Sequence, residues 1–264
     1  MEIFGYIAAF FIGVSLGLIG GGGSILAVPV FVYLFDLSPF LAISYSLFIV
    51  GITSLAGALN NFRKGYVHLR TALLFGLSSI ATVFLTRKLI IPEIPEFIAV
   101  NSFTFSFAVL TMVLFAVLMF LASIAMLRGR KEPVNTAIQH HNYFKLTLYG
   151  VGIGLITGFL GAGGGFILIP ALILLIKLPM KIAVGTSLFI IAMNSLVGFM
   201  ADLGQYEIQW PLLLTVSAIA IMGVVTGGML ASRIDGSKLK KAFAWFVLFI
   251  ALYIIIKELF IKQT

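Results

Sequence analysis

One phrase occurs twice in this chain. Gly17-Leu-Ile-Gly-Gly-Gly-Gly-Ser-Ile-Leu-Ala-Val-Pro29 returns as Gly158-Phe-Leu-Gly-Ala-Gly-Gly-Gly-Phe-Ile-Leu-Ile-Pro170. Four small residues in succession are expected to break a helix, since glycine loses the most backbone freedom on folding and offers no side chain to pack. Both phrases nevertheless lie inside long apolar stretches. Paired helix breaks at corresponding places in two halves of an apolar chain are the pattern of a transporter's substrate site.

Apolar residues make up 61% of the 264 residues and charged residues 10%, more apolar surface than a soluble domain of this length would bury. The chain therefore reads as polytopic and membrane-embedded. The net charge of +8 would suggest nucleic acid in a soluble protein, but here the basic residues lie in loops between apolar spans. No nucleic-acid partner is expected. Cysteine is absent, which excludes disulfides, thiol chemistry and cysteine-ligated metals. Met1-Glu2 opens no basic leader, so the first apolar stretch is assigned to the mature fold.

Apolar segments run over about 3–19, 25–35, 39–60, 69–90, 99–127, 144–160, 166–176, 180–201, 211–231 and 242–261. The segments 25–35 and 166–176 are too short to cross a bilayer. At ~1.5 Å per residue they cover about half the hydrocarbon core, so they are predicted as half-helices beginning at Ile25 and Phe166. Placing loops 61–70, 128–145 and 232–241 in the cytoplasm, with Lys177 and Lys181, leaves only Arg87, Lys88, Lys257 and Lys262 outside. Thirteen basic residues against four fix the orientation, with both termini outside. The outer loops also collect Asp36, Glu93, Glu96, Asp202 and Glu207.

A shift of 141 residues carries Gly13–Gly57 onto Gly154–Gly198 with about sixteen identities, among them Pro29/Pro170, Ser46/Ser187 and Ser54/Ser195. Each half holds five segments, an odd number, so the second half must start on the opposite side of the membrane. The predicted fold class is an all-α polytopic membrane protein of two inverted five-segment repeats, broken or re-entrant at the glycine runs. The first repeat is 1–127, the basic cytoplasmic linker 128–142 and the second repeat 143–264.

These paired phrases, with Pro29, Pro170 and Gly185-Thr-Ser-Leu188, resemble the sulfite exporter TauE/SafE family, also called the toluene sulfonate uptake permease family. The resemblance covers essentially the whole chain. It implies a bacterial inner-membrane permease for sulfite or small organosulfonates; an inside-negative potential, which drives anions outward, makes export the expected direction.

The residues supply a physical reason for an anion. A helix N-terminus carries unsatisfied N–H groups and about half a positive charge. Two half-helices pointing those ends at one midplane spot would hold an oxyanion without a lysine or arginine. Gly20, Gly21, Gly22 and Gly23, with Gly161, Gly163, Gly164 and Gly165, let backbone approach the ligand closely, and Ser24 adds a hydroxyl. Ser46, Thr53 and Asn60 are seven apart and share a helix face, and Ser187 and Asn194 form the equivalent face. Tyr45 and Thr186 stand beside these stripes at equivalent positions. Ser54 with Gly57 and Ser195 with Gly198 read instead as packing faces. The GxxxG pairs Gly13/Gly17, Gly154/Gly158 and Gly223/Gly227 read as helix contacts.

All nine acidic residues fall in loops or near span ends, so no mid-membrane carboxylate is predicted to relay protons or bind sodium. His68, His140 and His141 fall in cytoplasmic loops and read as solvated. No cofactor, metal or enzymatic activity is expected, since no nucleophile–base set lies within the spans. The expected partners are a small anion and the lipid bilayer, with homo-oligomers left open. An anion channel, or an uptake permease for another small anion, is the alternative on the same broken helices.

Overall fold

Proline and glycine punctuate this chain, and the helices begin and end where they fall. A computed structural model describes residues 2–95, 97–100, 103–128, 143–161, 163–174, 176–230 and 236–258. Among these residues the α-helices are α1 Glu2–Ile19, α2 Ala27–Leu34, α3 Pro39–Arg63, α4 Leu69–Leu85, α5 Phe107–Leu127, α6 Tyr143–Leu160, α7 Gly165–Leu174, α8 Met180–Asp202, α9 Trp210–Leu230 and α10 Gly236–Ile256. Pro39 opens α3 at its first position and Pro179 immediately precedes α8, where a missing N–H costs nothing. Among the described residues five helices are long and apolar enough to cross a membrane: α3, α4 with its extension, α5, α8 and α9. The half-helices α2 and α7 have 8 and 10 residues.

Two expectations are corrected. The segment expected as a helix from residue 99 begins with an antiparallel hairpin, β1 Phe97–Val100 on β2 Phe103–Ser106, in register Val100↔Phe103, and α5 starts only at Phe107. Phe, Ile, Val and Thr favour extended backbone there. The first glycine run is not an open break either. Gly21–Leu26 winds as a 3-10 helix that leads straight into α2, so helical geometry starts ahead of Ile25. The bend is concentrated at Gly20, whose φ of 77° is open to glycine. The second run bends at three places, Gly161, Gly163 and Gly164, all with positive φ. Of the linker, Arg128 closes α5 through its N–H to the Ile124 carbonyl, while 129–142, with His140 and His141, lie outside the described residues.

The main helix contacts are α1 on α9, α6 on α4, α3 on α8 and α5 on α10. Small residues allow the first two. A Cβ on Gly13 would stand 3.0 Å from the Gly223 Cα, and one on Gly154 would stand 3.1 Å from the Ser79 Cα. The 141-residue shift turns α1 on α9 into α6 on α4, and returns α3 on α8 to itself. Local bonds follow the same shift. Gly20 N–H donates to Leu16 O and Gly161 N–H to Thr157 O, both at 2.9 Å. Leu37 N–H donates to Phe31 O and Leu178 N–H to Leu172 O, both at 3.1 Å. Asp36 and Lys177, also equivalent, are the non-glycine residues in the left-handed region among those described, at φ 53° and 55°.

The bundle has two polar ends. At the basic end, with Arg63, Lys64, Arg70, Lys177 and Lys181, the loop after α3 meets the start of α8: the His68 N–H donates to Thr186 Oγ1 at 2.9 Å. At the acidic end, with Asp36, Asp202 and Glu207, the loop after α8 meets the start of α3: the Gln209 N–H donates to Tyr45 OH at 2.6 Å. Between the ends the exterior is apolar, with Leu77, Leu121, Met229 and Phe249 exposed, a surface suited to hydrocarbon rather than water.

Candidate functional site

The two glycine runs meet. A Cβ on Gly21 would stand 2.8 Å from the Gly165 Cα, and one on Gly165 would stand 2.6 Å from the Gly21 Cα. Backbone thus lies directly on backbone at the start of α7 and of the 3-10 helix. Each run also leans on the opposite half. Gly20 packs on Val184 of α8 and Gly161 on Ile43 of α3, equivalent positions. A Cβ on Gly163 would come to 2.8 Å from both Ile191 and Val50, and Gly23 packs on Ser15 and Leu16. Gly22 lies within the 3-10 turn.

Several of the predicted hydroxyls have their protons committed to carbonyls. Ser24 Oγ donates to Gly21 O at 2.8 Å, Thr53 Oγ1 to Ile49 O at 2.6 Å and Ser187 Oγ to Val184 O at 2.8 Å. A serine or threonine in a helix has such a carbonyl within reach, and a buried hydroxyl takes it. Ser46 differs: its Oγ donates across the halves to Gly161 O at 2.9 Å and so holds the second run in place. Tyr45 and Thr186 accept the loop N–H groups described above. They serve the two ends of the bundle, not the junction of the runs. Asn194 Nδ2 donates to Ser79 Oγ of α4 at 2.7 Å, and its Oδ1 has no partner among the described residues. The Ser79 hydroxyl both accepts and donates, so the amide turned about would keep Ser79 and present its NH2 instead.

Two residues at the junction escaped the sequence reading. Ser195 Oγ would lie 2.9 Å from a Cβ on Gly163, and Thr157 packs on Gly164. Both hydroxyls are buried and without a hydrogen-bond partner among the described residues, as is Ser54, the equivalent of Ser195. The paired serines were legible as a match in the repeat, but their neighbouring glycines pointed to packing. Which face of α8 meets the run depends on the helix's rotation, which the sequence does not reveal. An unmet buried hydroxyl costs about 1–3 kcal/mol, so two beside one glycine run demand a reason.

Charge enters nearby as a pair. Arg87, in the π-helical turn Thr86–Ile90 that extends α4, donates from Nε to Asp202 Oδ1 at 2.8 Å and from Nη2 to Asp202 Oδ2, and its Nη1 is 3.5 Å from Gly158 O. Asp202 and Glu258 fall at helix ends, as expected, but each is 1% exposed rather than solvated. His68 is also more than a solvated loop residue. It is half-buried and caps α4, its Nδ1 accepting the Thr71 N–H at 3.3 Å. A polar pocket of about 540 Å³ opens at the acidic end between Ser38, Leu41 and the 205–209 loop. A larger groove of about 790 Å³, walled by Phe4, Phe11, Leu26, Pro29, Tyr33 and Phe246, is apolar and suits hydrocarbon better than an anion.

Comparison with known proteins points to a family of membrane transporters. Residues 6–254 match the family described as Sulfite exporter TauE/SafE. A probable membrane transporter protein of Xylella fastidiosa (strain Temecula1 / ATCC 700964) is 30% identical over 255 residues, covering 92% of this chain and 91% of that protein. The probable membrane transporter protein YunE of Bacillus subtilis (strain 168) is 28% identical over 264 residues, covering 86% of this chain and 89% of that protein. No solved structure matches.

Proposed function

Because the chain belongs to the sulfite exporter TauE/SafE family, a family of multi-pass membrane transporters, we propose that it carries a small sulfur oxyanion, sulfite or an organosulfonate, outward across a bacterial inner membrane. The anion binds where the two glycine runs meet. The observation that carries this reading is the pair of unmet buried hydroxyls, Thr157 and Ser195, against Gly163 and Gly164. Neutral donors and helix-start N–H groups suit an oxyanion that must bind and leave again. Gly20 to Gly23 and Gly161 to Gly165 form the cradle, Ser46 fixes the second run, and Asn194 offers its amide. Ser24, Thr53 and Ser187 keep their hydroxyl protons on carbonyls of their own segments and donate nothing to the anion, and Tyr45 and Thr186 hold the loops at the two ends.

The two halves are read as an inverted repeat that alternates access. Support comes from helix contacts that exchange under the 141-residue shift, from equivalent bonds of equal length, and from the odd number of segments per half. Backbone contact between Gly21 and Gly165 favours a carrier over an open channel. An inside-negative potential contributes ~2.3 kcal/mol per charge per 100 mV toward anion export, which favours the outward direction.

The test is sulfite efflux from proteoliposomes, with membrane potential and pH gradient varied separately. Saturable flux that follows the potential is expected. In the same assay Ser195→Ala raises KM about tenfold, the loss of one hydrogen bond to an anion, while the melting temperature rises, because an unmet buried hydroxyl is removed. Ser187→Ala, whose hydroxyl serves only Val184, leaves KM unchanged. Equal effects of the two substitutions would remove Ser195 from the site. An absence of sulfite flux beside flux of a sulfonate would move the substrate within the class.

A further inference from the structure

Arg87 has zero exposure, and its guanidinium engages both carboxylate oxygens of Asp202, the last residue of α8. With Nη1 directed to the Gly158 carbonyl, it ties α4, α6 and α8 together at the acidic end. Such a pair adds little net stability over apolar side chains of the same volume, because both ions lose their water. Stability is therefore a weak reason for its presence.

The repeat supplies a stronger one. The 141-residue shift takes Asp202 back to Asn61 and Arg87 forward to Gly228. Asn61 turns onto its own helix, Nδ2 to Gly57 O at 2.9 Å. Gly228 is exposed, and among the described residues nothing comes within 4 Å of the place a Cβ would occupy. Of two equivalent places in the bundle, one is locked by a buried ion pair and the other, Asn61 with Gly228, has no charged side chain to form one. The locked place also borders the polar pocket. Tyr206 lines that pocket and lies close enough to feel both charges: burial pushes its hydroxyl pKa up, Arg87 opposes the shift and Asp202 adds to it. Arg87 stands on a π-helical turn, where a helix has a residue in excess and a ready place to rewind.

We propose that the Arg87–Asp202 pair is the latch of the acidic end: formed while the glycine junction is reached from the basic end, and broken while it is reached from the acidic end. This rests on the alternating-access reading above. Both residues are positioning residues and touch no transported anion in the latched state.

The natural absence of cysteine permits a direct test. Leu41→Cys places a thiol in the pocket at the acidic end, and Ile182→Cys places one at the equivalent position of the basic end. Labelling by a polar maleimide is followed in nanodiscs without substrate, where both faces are open to the reagent. Combining each cysteine with Arg87→Met and Asp202→Leu removes the pair without leaving an orphan charge. Labelling at 41 is expected to rise and at 182 to fall, each by about tenfold, with little change in melting temperature. A lower melting temperature with both labelling rates unmoved would make the pair purely structural and overturn the latch. A rise at both positions, which reports loosening, would overturn it as well. Should the double variant fail to fold, Arg87→Cys with Asp202→Cys joined by a short thiol cross-linker replaces the latch with a covalent one. Flux is then expected to stop on cross-linking and return on cleavage, and flux that continues would overturn the proposal. Because labelling needs no substrate, opposite shifts beside absent sulfite flux would keep the latch and reject the substrate. Sulfite flux with unmoved labelling would do the reverse.

Discussion

Gly165 shows what a single missing methyl group decides. Its Cβ would stand 2.6 Å from both the carbonyl carbon and the Cα of Gly21, and backbone cannot move aside as a side-chain tip can. Gly165→Ala must therefore separate the two runs, at a cost of about 1–3 kcal/mol or more, and should abolish transport even where the protein still inserts. Gly152 is the matched control: it lies within α6, is exposed, and has nothing within 4 Å of its Cβ position. Gly152→Ala should gain about 0.5–1 kcal/mol, as alanine does over glycine in a helix. Thermal unfolding of the two purified variants in one detergent checks both signs, and a Gly165→Ala protein as stable as its parent would contradict the contact between the runs.

At the scale of elements, Tyr45 and Thr186 perform one task on two scaffolds. Each accepts the N–H of a loop residue, Gln209 or His68, just before a helix of the opposite half begins. A phenol and a short hydroxyl at equivalent positions reach equivalent partners, so the bond rather than the side chain is what the repeat retains. Tyr45→Phe and Thr186→Val should each leave a loop N–H short of its partner and lower stability by about 1–3 kcal/mol, with faster hydrogen exchange confined to 205–209 in the first and 64–68 in the second. A loss spread over both loops would mean that the two ends are coupled. Much of this layer was legible beforehand. Apolar length located the segments that became α1 to α10, and the short stretches after the glycine runs became α2 and α7. The hairpin before α5 was not, because Phe, Ile, Val and Thr read equally well as a short strand or as the start of a buried helix. The 3-10 winding of Gly21–Leu26 was hidden for a related reason: packing against α7 and α8 overrides glycine's poor intrinsic propensity. Arg87 looked like an ordinary outer basic residue, and only its partner 115 positions away on another helix explains its burial.

For the whole molecule, the repeat divides the sequence but not the fold. The principal contacts α1–α9, α4–α6, α3–α8 and α5–α10 all cross from one half to the other. Within either half alone, α1, α5, α6 and α10 would lose their main partners. The GxxxG faces of α1 and α9, shaped for close approach to one another, would be left facing lipid, where association depends on matched packing rather than on escape from water. Residues 1–127 or 143–264 expressed separately should therefore be degraded or aggregate. Expressed together as two chains they should insert, find one another and restore flux, since no principal contact requires the connection through 129–142. Co-purification of differently tagged halves, with flux assayed in proteoliposomes, measures this directly. Halves that each accumulate as stable, monodisperse proteins would show two self-sufficient domains and break the argument that this bundle is made of exchanged partners. Reassembly without the link would place the unit of folding at the crossing helix pair, the same level at which the Arg87–Asp202 pair joins α4 to α8.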